Sequence, residues 1–395
     1  MSGWRKRRVL AVVLAVVAMG LGLTAAALST STYLGRWVWW NRSDIGDLHR
    51  FPSRPILDGP STFTFAVAPR PLDPELEVER AGETERIRLR ELARRTGTTA
   101  LLVVRRDTLL FEGYYGGHGR DSLSTSFSVA KSVVGLLAGI AVDEGLFGSV
   151  DDPVTEYLPE LALRDPRFRR VTLRHLLDMR SGIAFRDHDL PWGDKARAYY
   201  EPHLRERVLD EIEVERPPGE TWAYNTYNPM LVGLALERAS GTNVARFTSS
   251  RLWHPLGMEY PASWSTDGHT APMEKMESGL NARAVDFAKI GRLLLERGAP
   301  GGRRVVSERW IEASTRGGPD CGLEAFRPVP LCYRLGWWIT PAGEDRRWAV
   351  EARGHLGQYI SVFPEERLVM VRFGRELGGV SWPSVFQALA DATAR

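Results

Sequence analysis

Residues 126–142 read SFSVAKSVVGLLAGIAV, and Lys131 is the only charged residue among them. A run this apolar predicts a helix that is buried in the centre of a domain. Residues three positions apart share one face of a helix, so the Ser128 hydroxyl is expected beside the Lys131 amine. Burying an ammonium group is costly, which favours the free amine that can take a proton from a serine. The stretch therefore predicts an activated serine nucleophile in the first turn of a core helix.

A Ser-x-x-Lys pair is weak evidence when it stands alone. At an average abundance of serine, a chain with this few lysines contains such a pair by chance in roughly one case in three. Of the five lysines, at positions 6, 131, 195, 275 and 289, only Lys131 has a serine three residues earlier. Its place at the start of an apolar helix favours an active site, and the rest of the chain has to supply the partners.

The composition is that of an ordinary globular protein. The 395 residues are 43% hydrophobic and 26% charged, which allows one large domain or two lobes with ample core. The formal net charge of +3 comes from arginines that are spread along the chain, with no dense basic cluster after residue 8. We therefore expect no nucleic acid among its partners.

The N-terminus has the pattern of an exported protein. Residues 5–8 read RKRR, and the uncharged residues 9–28 that follow would span roughly 30 Å as a helix. This run is longer than the apolar core of a typical cleaved signal, so a membrane anchor is favoured, although residues 25–27 (AAA) offer a cleavage site. The basic flank predicts a cytoplasmic N-terminus, with the remaining chain on the extracytoplasmic side of the cell membrane, or secreted if the segment is cleaved.

Residues 1–40 thus form a basic N-terminus with an anchor or signal segment, which contacts the lipid bilayer through residues 9–28. Four aromatic residues follow at a depth that suits the membrane interface, or else belong to the core of the domain: Tyr33, Trp37, Trp39 and Trp40. Residues 41–80 are rich in Pro, Asp, Ser and Arg without sustained periodicity, which predicts an extended linker.

The periodicity of residues 81–395 predicts a single α+β domain. A charged helix over residues 83–96 precedes a β-hairpin of residues 98–104 and 108–115, and helical spacing dominates from about residue 150 to 300. Short strands return after residue 330, and a last helix ends the chain. Strands from both ends predict one antiparallel sheet flanked by helices, with the helical middle as a second lobe and a cleft between the two.

The chain contains only two cysteines, Cys321 and Cys332, in a Gly- and Pro-rich stretch. Disulfides survive in an exported domain, so a loop-closing bridge between these cysteines is favoured. No third ligand lies near enough in the sequence for zinc, and no metal site is predicted.

Two further stretches can complete a serine-based site, which needs a second proton carrier and hydrogen-bond donors for an oxyanion. Residues 217–226 (PPGETWAYNT) place Tyr224 in a turn before a predicted helix. Residues 353–358 (RGHLGQ) place His355 between glycines at the edge of a strand, where the backbone can approach a substrate closely. Either residue alone is as well explained by ordinary packing.

Together, three motifs resemble in type and order those of the serine β-lactamase and penicillin-recognising hydrolase superfamily: Ser128-x-x-Lys131, Tyr224 and His355-x-Gly357. The resemblance is to the class C-like branch of esterases and amidases, which includes 6-aminohexanoate-dimer hydrolases, and it covers about residues 80–395. VTLRHLLDMRSGI at residues 171–183 and ESGLNARAVDFAKIGRLLLERG at residues 277–298 support it. The implied fold is that of β-lactamases and transpeptidases.

The resemblance implies a role for each matched residue. Ser128 would be the nucleophile that forms an acyl-enzyme, Lys131 its activating partner, and Tyr224 the carrier that protonates the leaving group and later activates water. The backbone N–H of Ser128 would contribute to the oxyanion hole. The strand motif would supply the second oxyanion donor, the Gln358 backbone N–H, and the lining of the cleft: His355, Gly357 and Gln358. The resemblance implies neither a metal nor a cofactor.

Two departures from the family pattern bear on the substrate. The family's Tyr-x-Asn is YNT at residues 224–226, so the asparagine that contacts a substrate amide is missing at its position. The family's Lys-Thr-Gly is HLG at residues 355–357, so a fixed positive charge for a substrate carboxylate is replaced by a largely neutral imidazole. Both changes weaken the case for penicillin or cell-wall peptide as substrate, unless Arg353 supplies the charge.

Other polar residues have more than one interpretation. The loop after the SGI turn either lines the mouth of the substrate site or is solvated, and it contains Asp187, His188, Asp189 and Trp192. His175 lies in a predicted helix, where a packing or capping role is favoured.

The sequence thus predicts a membrane-anchored, exported serine hydrolase that cleaves a small ester or linear amide. A β-lactamase or a D-amino-acid-specific carboxypeptidase is the alternative enzyme. A catalytically silent, penicillin-binding-like sensor or scaffold is the alternative of another class. The sequence leaves the oligomeric state open.

Overall fold

The computed structural model describes residues 2–27, 29–80, 82–316, 331–342 and 347–394. Its α-helices are α1 (Ser2–Ala27), α2 (Tyr33–Trp40), α3 (Leu89–Arg95), α4 (Val129–Asp143), α5 (Pro159–Arg164), α6 (Leu173–Leu177), α7 (Asp194–Tyr200), α8 (Leu204–Glu206), α9 (Tyr227–Ser240), α10 (Val244–Thr248), α11 (Ala284–Leu295), α12 (Glu308–Thr315) and α13 (Trp382–Ala394). Its strands are β1 (Ser53–Ile56), β2 (Ala66–Val67), β3 (Glu75–Arg80), β4 (Glu83–Arg88), β5 (Thr98–Arg105), β6 (Thr108–Tyr114), β7 (Ser124–Thr125), β8 (Ala262–Ser265), β9 (Leu280–Ala282), β10 (Cys332–Arg334), β11 (Trp337–Ala342), β12 (Arg347–Gly354), β13 (Gln358–Phe363) and β14 (Leu368–Gly374).

The main sheet joins strands from the two ends of the domain. Its strand order is β10-β11-β12-β13-β14-β5-β6-β2, with β14 beside β5, and the pairs are antiparallel except for β2 with β6. Between β6 and β10, the described residues form helices α4 to α12 and only three short strands, β7, β8 and β9. This arrangement confirms the predicted α+β fold, with one sheet built from N- and C-terminal strands and a helical lobe.

Helices cover both faces of this sheet. Along β5, Leu102 and Val104 face the core that contains α4 and α11, whereas Leu101 and Val103 face the core that contains α3 and α13. Alternate residues of a strand point to opposite faces, so a strand between two helical layers is buried on both faces, as β5 is from Thr98 to Val104. The sheet is therefore a buried and rigid support for the residues at its edge.

Helix α4 lies at the junction between the sheet and the helical lobe. Every residue from Val129 to Ala141 is buried. The closest contact of α4 with the chain between β10 and β11 requires glycine at position 135, because a Cβ there would collide with the carbonyl oxygen of Leu335. A second sheet, in the order β1-β8-β9-β7, delivers the chain into α4 through β7. The start of α4 is thereby fixed between the two sheets.

Residues 41–80 do not form the extended linker that the sequence predicts. Strand β1 pairs with β8, β2 pairs with β6, and β3 forms a hairpin with β4. The segment therefore lies on the body and contributes strands to its sheets. Strands β1 and β2 are only four and two residues long and pair with distant parts of the chain, so residues 41–80 show no sustained period, although β3 alternates over its six residues.

The helix predicted over residues 83–96 is wrong in its first half, since β4 takes its place and only α3 is helical. Ile87 is the one buried residue of β4, and it joins Leu76 and Val78 of β3 in the core under α13. The neighbouring strand thus supplies most of the apolar face, and residues 83–88 alone do not reveal it.

The N-terminal helix α1 is unburied over Arg7–Ala25 and is long and apolar enough to cross a membrane. A signal sequence near an N-terminus meets the same criteria. Cys332 is 1% exposed at the start of β10, whereas Cys321 lies outside the described residues. The disulfide between them therefore stays a prediction.

Candidate active site

The turn between β7 and α4 presents Ser128. The Ser126 N–H donates to the Leu280 carbonyl at 3.0 Å, which ties the turn to β9. Phe127 has a φ of 45°, a left-handed conformation that is strained for a residue with a side chain. Its ring is held between Tyr199, at 6.4 Å between centroids, and His355, at 5.4 Å and edge-on. This packing stabilises the strained turn and directs the next residue, Ser128, into the cleft.

Lys131 lies one helical turn after Ser128 and is 3% exposed. Its Nζ donates to Ser128 Oγ at 2.9 Å and to the Glu277 carbonyl oxygen at 2.8 Å. The Glu277 carboxylate is directed elsewhere and pairs with Lys275 Nζ at 2.9 Å. The amine therefore meets neutral oxygens, and its contact with Ser128 Oγ is of the length that proton transfer requires.

Tyr224 comes from the helical lobe and lies above the same pair. The Lys131 Nζ is 5.0 Å from the centroid of its ring. The ring stacks on Trp338 at 6.0 Å and meets Tyr333 edge-on at 6.2 Å. Asn225 is buried and fixes the turn, because its Nδ2 donates to the Ile183 carbonyl at 3.0 Å and its Oδ1 accepts from the backbone N–H of residue 227 at 2.9 Å. Tyr224 is thus held in place by contacts to its ring and its backbone.

One cavity of about 820 Å³ contains all three predicted catalytic side chains. Tyr224 and Thr226 enter it from the helical lobe, and Ser128 and Lys131 from α4. Its walls are rich in aromatic and apolar side chains: Trp37, Phe127, Leu190, Ala196, Tyr199, Tyr200 and Leu356. Charged and polar residues at its rim and floor are Asn41, Arg42, Ser43, Asp187, Asp189, Lys195, Glu277, Ser278 and His355.

The turn at residues 355–357 forms the far side of the cavity. Burial lowers the pKa of His355 below its ordinary value of 6.5, and the positive charge of Lys195 acts in the same direction. Gly357 has a φ of +82°, and a Cβ on it would collide with the guanidinium of Arg372. The Arg372 side chain is fully buried and donates to the carbonyl oxygen of Gly357 at 2.6 Å. A buried arginine thus fixes the turn that carries His355.

A family model described as Beta-lactamase matches residues 80–393 of the chain. The chain belongs to the β-lactamase family. Among characterised relatives, a 6-aminohexanoate-dimer hydrolase from Paenarthrobacter ureafaciens is 29% identical over 304 residues, which cover 73% of this chain and 74% of the relative. A lovastatin esterase from Penicillium rubens is 30% identical over 181 residues, or 40% of this chain and 42% of the relative. Like these amide and ester hydrolases, the chain is a serine hydrolase of the β-lactamase family.

Solved structures agree on the fold. A structure described as a 6-aminohexanoate-dimer hydrolase from Bacillus anthracis superposes with a TM-score of 0.75 at 22% identity, covering 91% of this chain and 94% of that one. A D-stereospecific amidohydrolase from Streptomyces superposes with a TM-score of 0.56 at 17% identity, covering 74% and 94%. At these identities the superpositions show the fold of the β-lactamase family and leave the substrate open.

The predicted substrate-binding residues divide into two groups in this β-lactamase-family cleft. Asp189 and His355 line the cavity, as does Asp187. Trp192 does not: it is 59% exposed and meets His188 edge-on at 6.4 Å. The side chain of Gln358 is also turned away, because its Nε2 donates to the carbonyl oxygens of His355 at 2.9 Å and Gly374 at 2.7 Å. The Gln358 backbone N–H remains the predicted oxyanion donor, and Gly357 acts as the tight turn before it.

Two other predicted residues have structural contacts. His175 caps α6, because its Nδ1 accepts from the Thr172 backbone N–H at 3.2 Å, which confirms the capping interpretation. Arg353 donates from Nε to Glu351 at 2.9 Å and does not line the cavity, so it does not replace the family's lysine. The sequence interpretation did not predict four residues that line the cavity: Arg42, Lys195, Tyr199 and Glu277. Glu277 opens a stretch that supports the family resemblance, whereas the other three belong to no motif.

Proposed function

We propose that the chain is an exported, membrane-anchored hydrolase that cleaves a small ester or linear amide through an acyl-enzyme on Ser128. The observation that supports this most directly is the 2.9 Å contact between Lys131 Nζ and Ser128 Oγ, beneath Tyr224, in one cavity. Export and anchoring rest on the apolar helix α1 and on its basic flank.

In the proposed reaction, Ser128 Oγ attacks the substrate carbonyl as its proton passes to the Lys131 amine. The oxyanion that forms is stabilised by the backbone N–H groups of Ser128 and Gln358, each worth roughly 10²–10³ in rate. Tyr224 donates a proton to the leaving alcohol or amine as the bond to the acyl carbon breaks. A water then attacks the acyl-enzyme, loses a proton to the same groups, and releases the carboxylic acid and Ser128.

The position of the family's lysine offers no fixed positive charge to a carboxylate on the acyl group of a substrate, although Arg42 lines the cavity elsewhere. His355 stands where relatives that bind carboxylates carry a lysine, and its lowered pKa leaves it neutral at pH 7. Arg353 is engaged with Glu351. Lys195 lines the cavity but pairs with Asp189 at 3.0 Å. These features favour a neutral ester or amide over a β-lactam or a D-amino-acid peptide.

A fluorophosphonate probe, together with p-nitrophenyl esters and a chromogenic cephalosporin, tests the proposal. We expect the wild-type chain to be labelled and to hydrolyse the esters, and Ser128→Ala to lose both properties. Ser43→Ala is the matched control, because Ser43 lines the same cavity without a lysine one turn away. Labelling that survives in Ser128→Ala would contradict the assignment. Faster turnover of the cephalosporin than of the esters would favour the β-lactamase alternative, and no labelling or turnover would favour the silent binder.

A further inference from the structure

The segment that follows the apolar helix forms a wall of the active-site cavity. Trp37 of α2 and residues 41–43 line the cavity that contains Ser128. The chain therefore reaches its own active site at Trp37, ten residues after the end of α1 at Ala27.

Hydrogen bonds hold α2 on the body beside the cleft. The Trp37 Nε1 donates to the carbonyl oxygen of Asp189 at 2.8 Å, and the Tyr33 hydroxyl donates to that of Pro191 at 2.7 Å. Arg36 is 6% exposed, and its Nη1 donates to the carbonyl oxygen of Asp267 at 2.6 Å. A buried arginine that is satisfied by the body indicates a fixed docking of the helix.

Ring contacts strengthen this docking. Trp40 meets Phe51 edge-on at 5.0 Å and lies 6.4 Å from Tyr200, and the Arg197 guanidinium lies 5.0 Å from the Tyr33 ring. Of the two interpretations of the N-terminal aromatic residues, packing on the domain therefore holds for Tyr33, Trp37 and Trp40.

The outward face of α2 is apolar. Leu34, Val38 and Trp39 are 48%, 45% and 61% exposed; Leu34 and Val38 are one helical turn apart on the same face, and Trp39 widens the exposed apolar surface. Leu190 and Trp192, in the loop against which α2 packs, are 49% and 59% exposed. Leu190 also lines the cavity. These five exposed residues lie on α2 and on the loop that α2 contacts beside the cavity, and we call them the apolar rim. Large exposed apolar patches mark binding surfaces.

The position of this rim in the chain identifies what covers it. Five residues separate α1 from α2, and five residues span at most about 18 Å. If α1 crosses a bilayer, the rim is held at the membrane surface, where exposed tryptophan and leucine side chains are favourable.

We propose that the active-site cavity opens onto the bilayer and takes its substrate from it, an amphiphilic ester or amide whose apolar chain remains in the lipid. This inference rests on the proposed hydrolase function and on retention of α1. The apolar chain of the substrate extends over the rim into the lipid, and the scissile carbonyl reaches Ser128 past Leu190 and Trp37.

The test uses the full chain in vesicles of phosphatidylcholine and phosphatidylglycerol. The triple variant Leu34→Ser/Val38→Ser/Trp39→Ser removes the apolar face of α2. We expect its kcat/KM for a bilayer-resident p-nitrophenyl palmitate to fall at least tenfold, and its activity on water-soluble p-nitrophenyl acetate to stay within twofold. The matched control is Leu57→Ser/Val67→Ser/Leu163→Ser, which changes three side chains that are 58%, 73% and 85% exposed elsewhere. This control should retain both activities.

Three results for the triple variant would overturn the inference. Its activities on palmitate and acetate could fall equally, or its activity on palmitate could stay unchanged. Its activity could also fall together with a change in oligomeric state, as measured by light scattering. N-terminal sequencing of the membrane-expressed protein would also overturn the inference if it shows that α1 has been removed.

The activity on p-nitrophenyl acetate reports on folding and on the chemistry at Ser128, and it does not depend on the membrane. Acetate hydrolysis that persists in Ser128→Ala would instead contradict the proposed function, whereas a wild-type enzyme that is active on acetate but inactive on palmitate in vesicles contradicts only the membrane inference.

Discussion

The contacts that hold Tyr224 act on its ring, which stacks on Trp338 and faces the Lys131 amine. Tyr224→Phe should therefore keep the packing and remove only the hydroxyl. We expect kcat on p-nitrophenyl acetate to fall by roughly 10²–10⁴, the range of a lost general acid or base. Tyr333→Phe is the control, because Tyr333 belongs to the same aromatic cluster, and it should stay within a few-fold of wild type. Equal rates for wild type and Tyr224→Phe would remove this tyrosine from the mechanism.

The charge on the His355 imidazole should control how fast substrates that carry a carboxylate acylate the enzyme. Burial lowers its pKa below the ordinary histidine value, so the imidazole is neutral at pH 7 and gains its positive charge only as the pH falls. Acylation by a cephalosporin should therefore be slow at pH 7 and increase as the pH falls. His355→Lys restores a fixed charge and should raise acylation by about tenfold at pH 7, since a charge-assisted contact is about twice as strong as a neutral one.

His355→Gln, which removes the imidazole without adding charge, is the matched control and should show no such increase. Hydrolysis of a neutral p-nitrophenyl ester should change little in His355→Lys and in His355→Gln, because this substrate carries no carboxylate. Acylation that is independent of pH between 5 and 8 in the wild type would contradict this role of His355.

At the scale of elements, the turn between β12 and β13 depends on its contact with Arg372. Burial lowers the pKa of this arginine to about 9, and its guanidinium lies 4.2 Å from the ring of Trp382. Gly357→Ala places a methyl group against that guanidinium at a φ of +82°. We expect kcat to fall at least tenfold and the melting temperature to fall as the turn shifts.

The Gly116→Ala variant is the control for Gly357→Ala, because it introduces backbone strain without a collision with a neighbouring side chain. Gly116 also has a positive φ, +63°, but a Cβ there would meet nothing within 4 Å. This control should cost only about 1–2 kcal/mol of unfolding free energy and leave kcat unchanged. If the two variants behave alike, the contact with Arg372 does not position the turn.

Helices and strands with a long run of apolar residues could be predicted from the sequence. Short strands that form only by pairing with strands far away in the chain could not. The run from Val129 predicts α4 because nearly all of its residues are apolar, as suits a helix that is buried almost throughout. Strands β13 and β14 are also buried throughout and are mostly apolar, with Gln358, Ser361 and Arg372 as the polar exceptions. Strand β1 is four residues long and is stabilised by pairing with β8, some two hundred positions away. The same limit applies to the site: Ser128 and Lys131 share one helix, whereas Tyr199 and Lys195 reach the cavity through the tertiary fold.

At the scale of the molecule, the N-terminal segment belongs both to the proposed anchor and to the catalytic body. A chain that begins at residue 29 keeps α2, whereas one that begins at residue 44 loses Trp37, Trp40 and residues 41–43. We expect the shorter chain to lose about 2–4 kcal/mol of unfolding free energy, because it lacks Trp37 and Trp40, which are partly buried against the cluster of Phe51, Ala196 and Tyr200.

The same truncation should act on binding more than on chemistry. Ser128, Lys131 and Tyr224 keep their supports in α4, β9 and the helical lobe, so kcat on p-nitrophenyl acetate should stay within a few-fold. The KM for esters with longer acyl chains should rise about tenfold, because one wall of the cavity is gone. Denaturant unfolding and steady-state kinetics on both chains measure these effects. A chain from residue 44 with unchanged KM and stability would show that α2 is a tether and not part of the cleft.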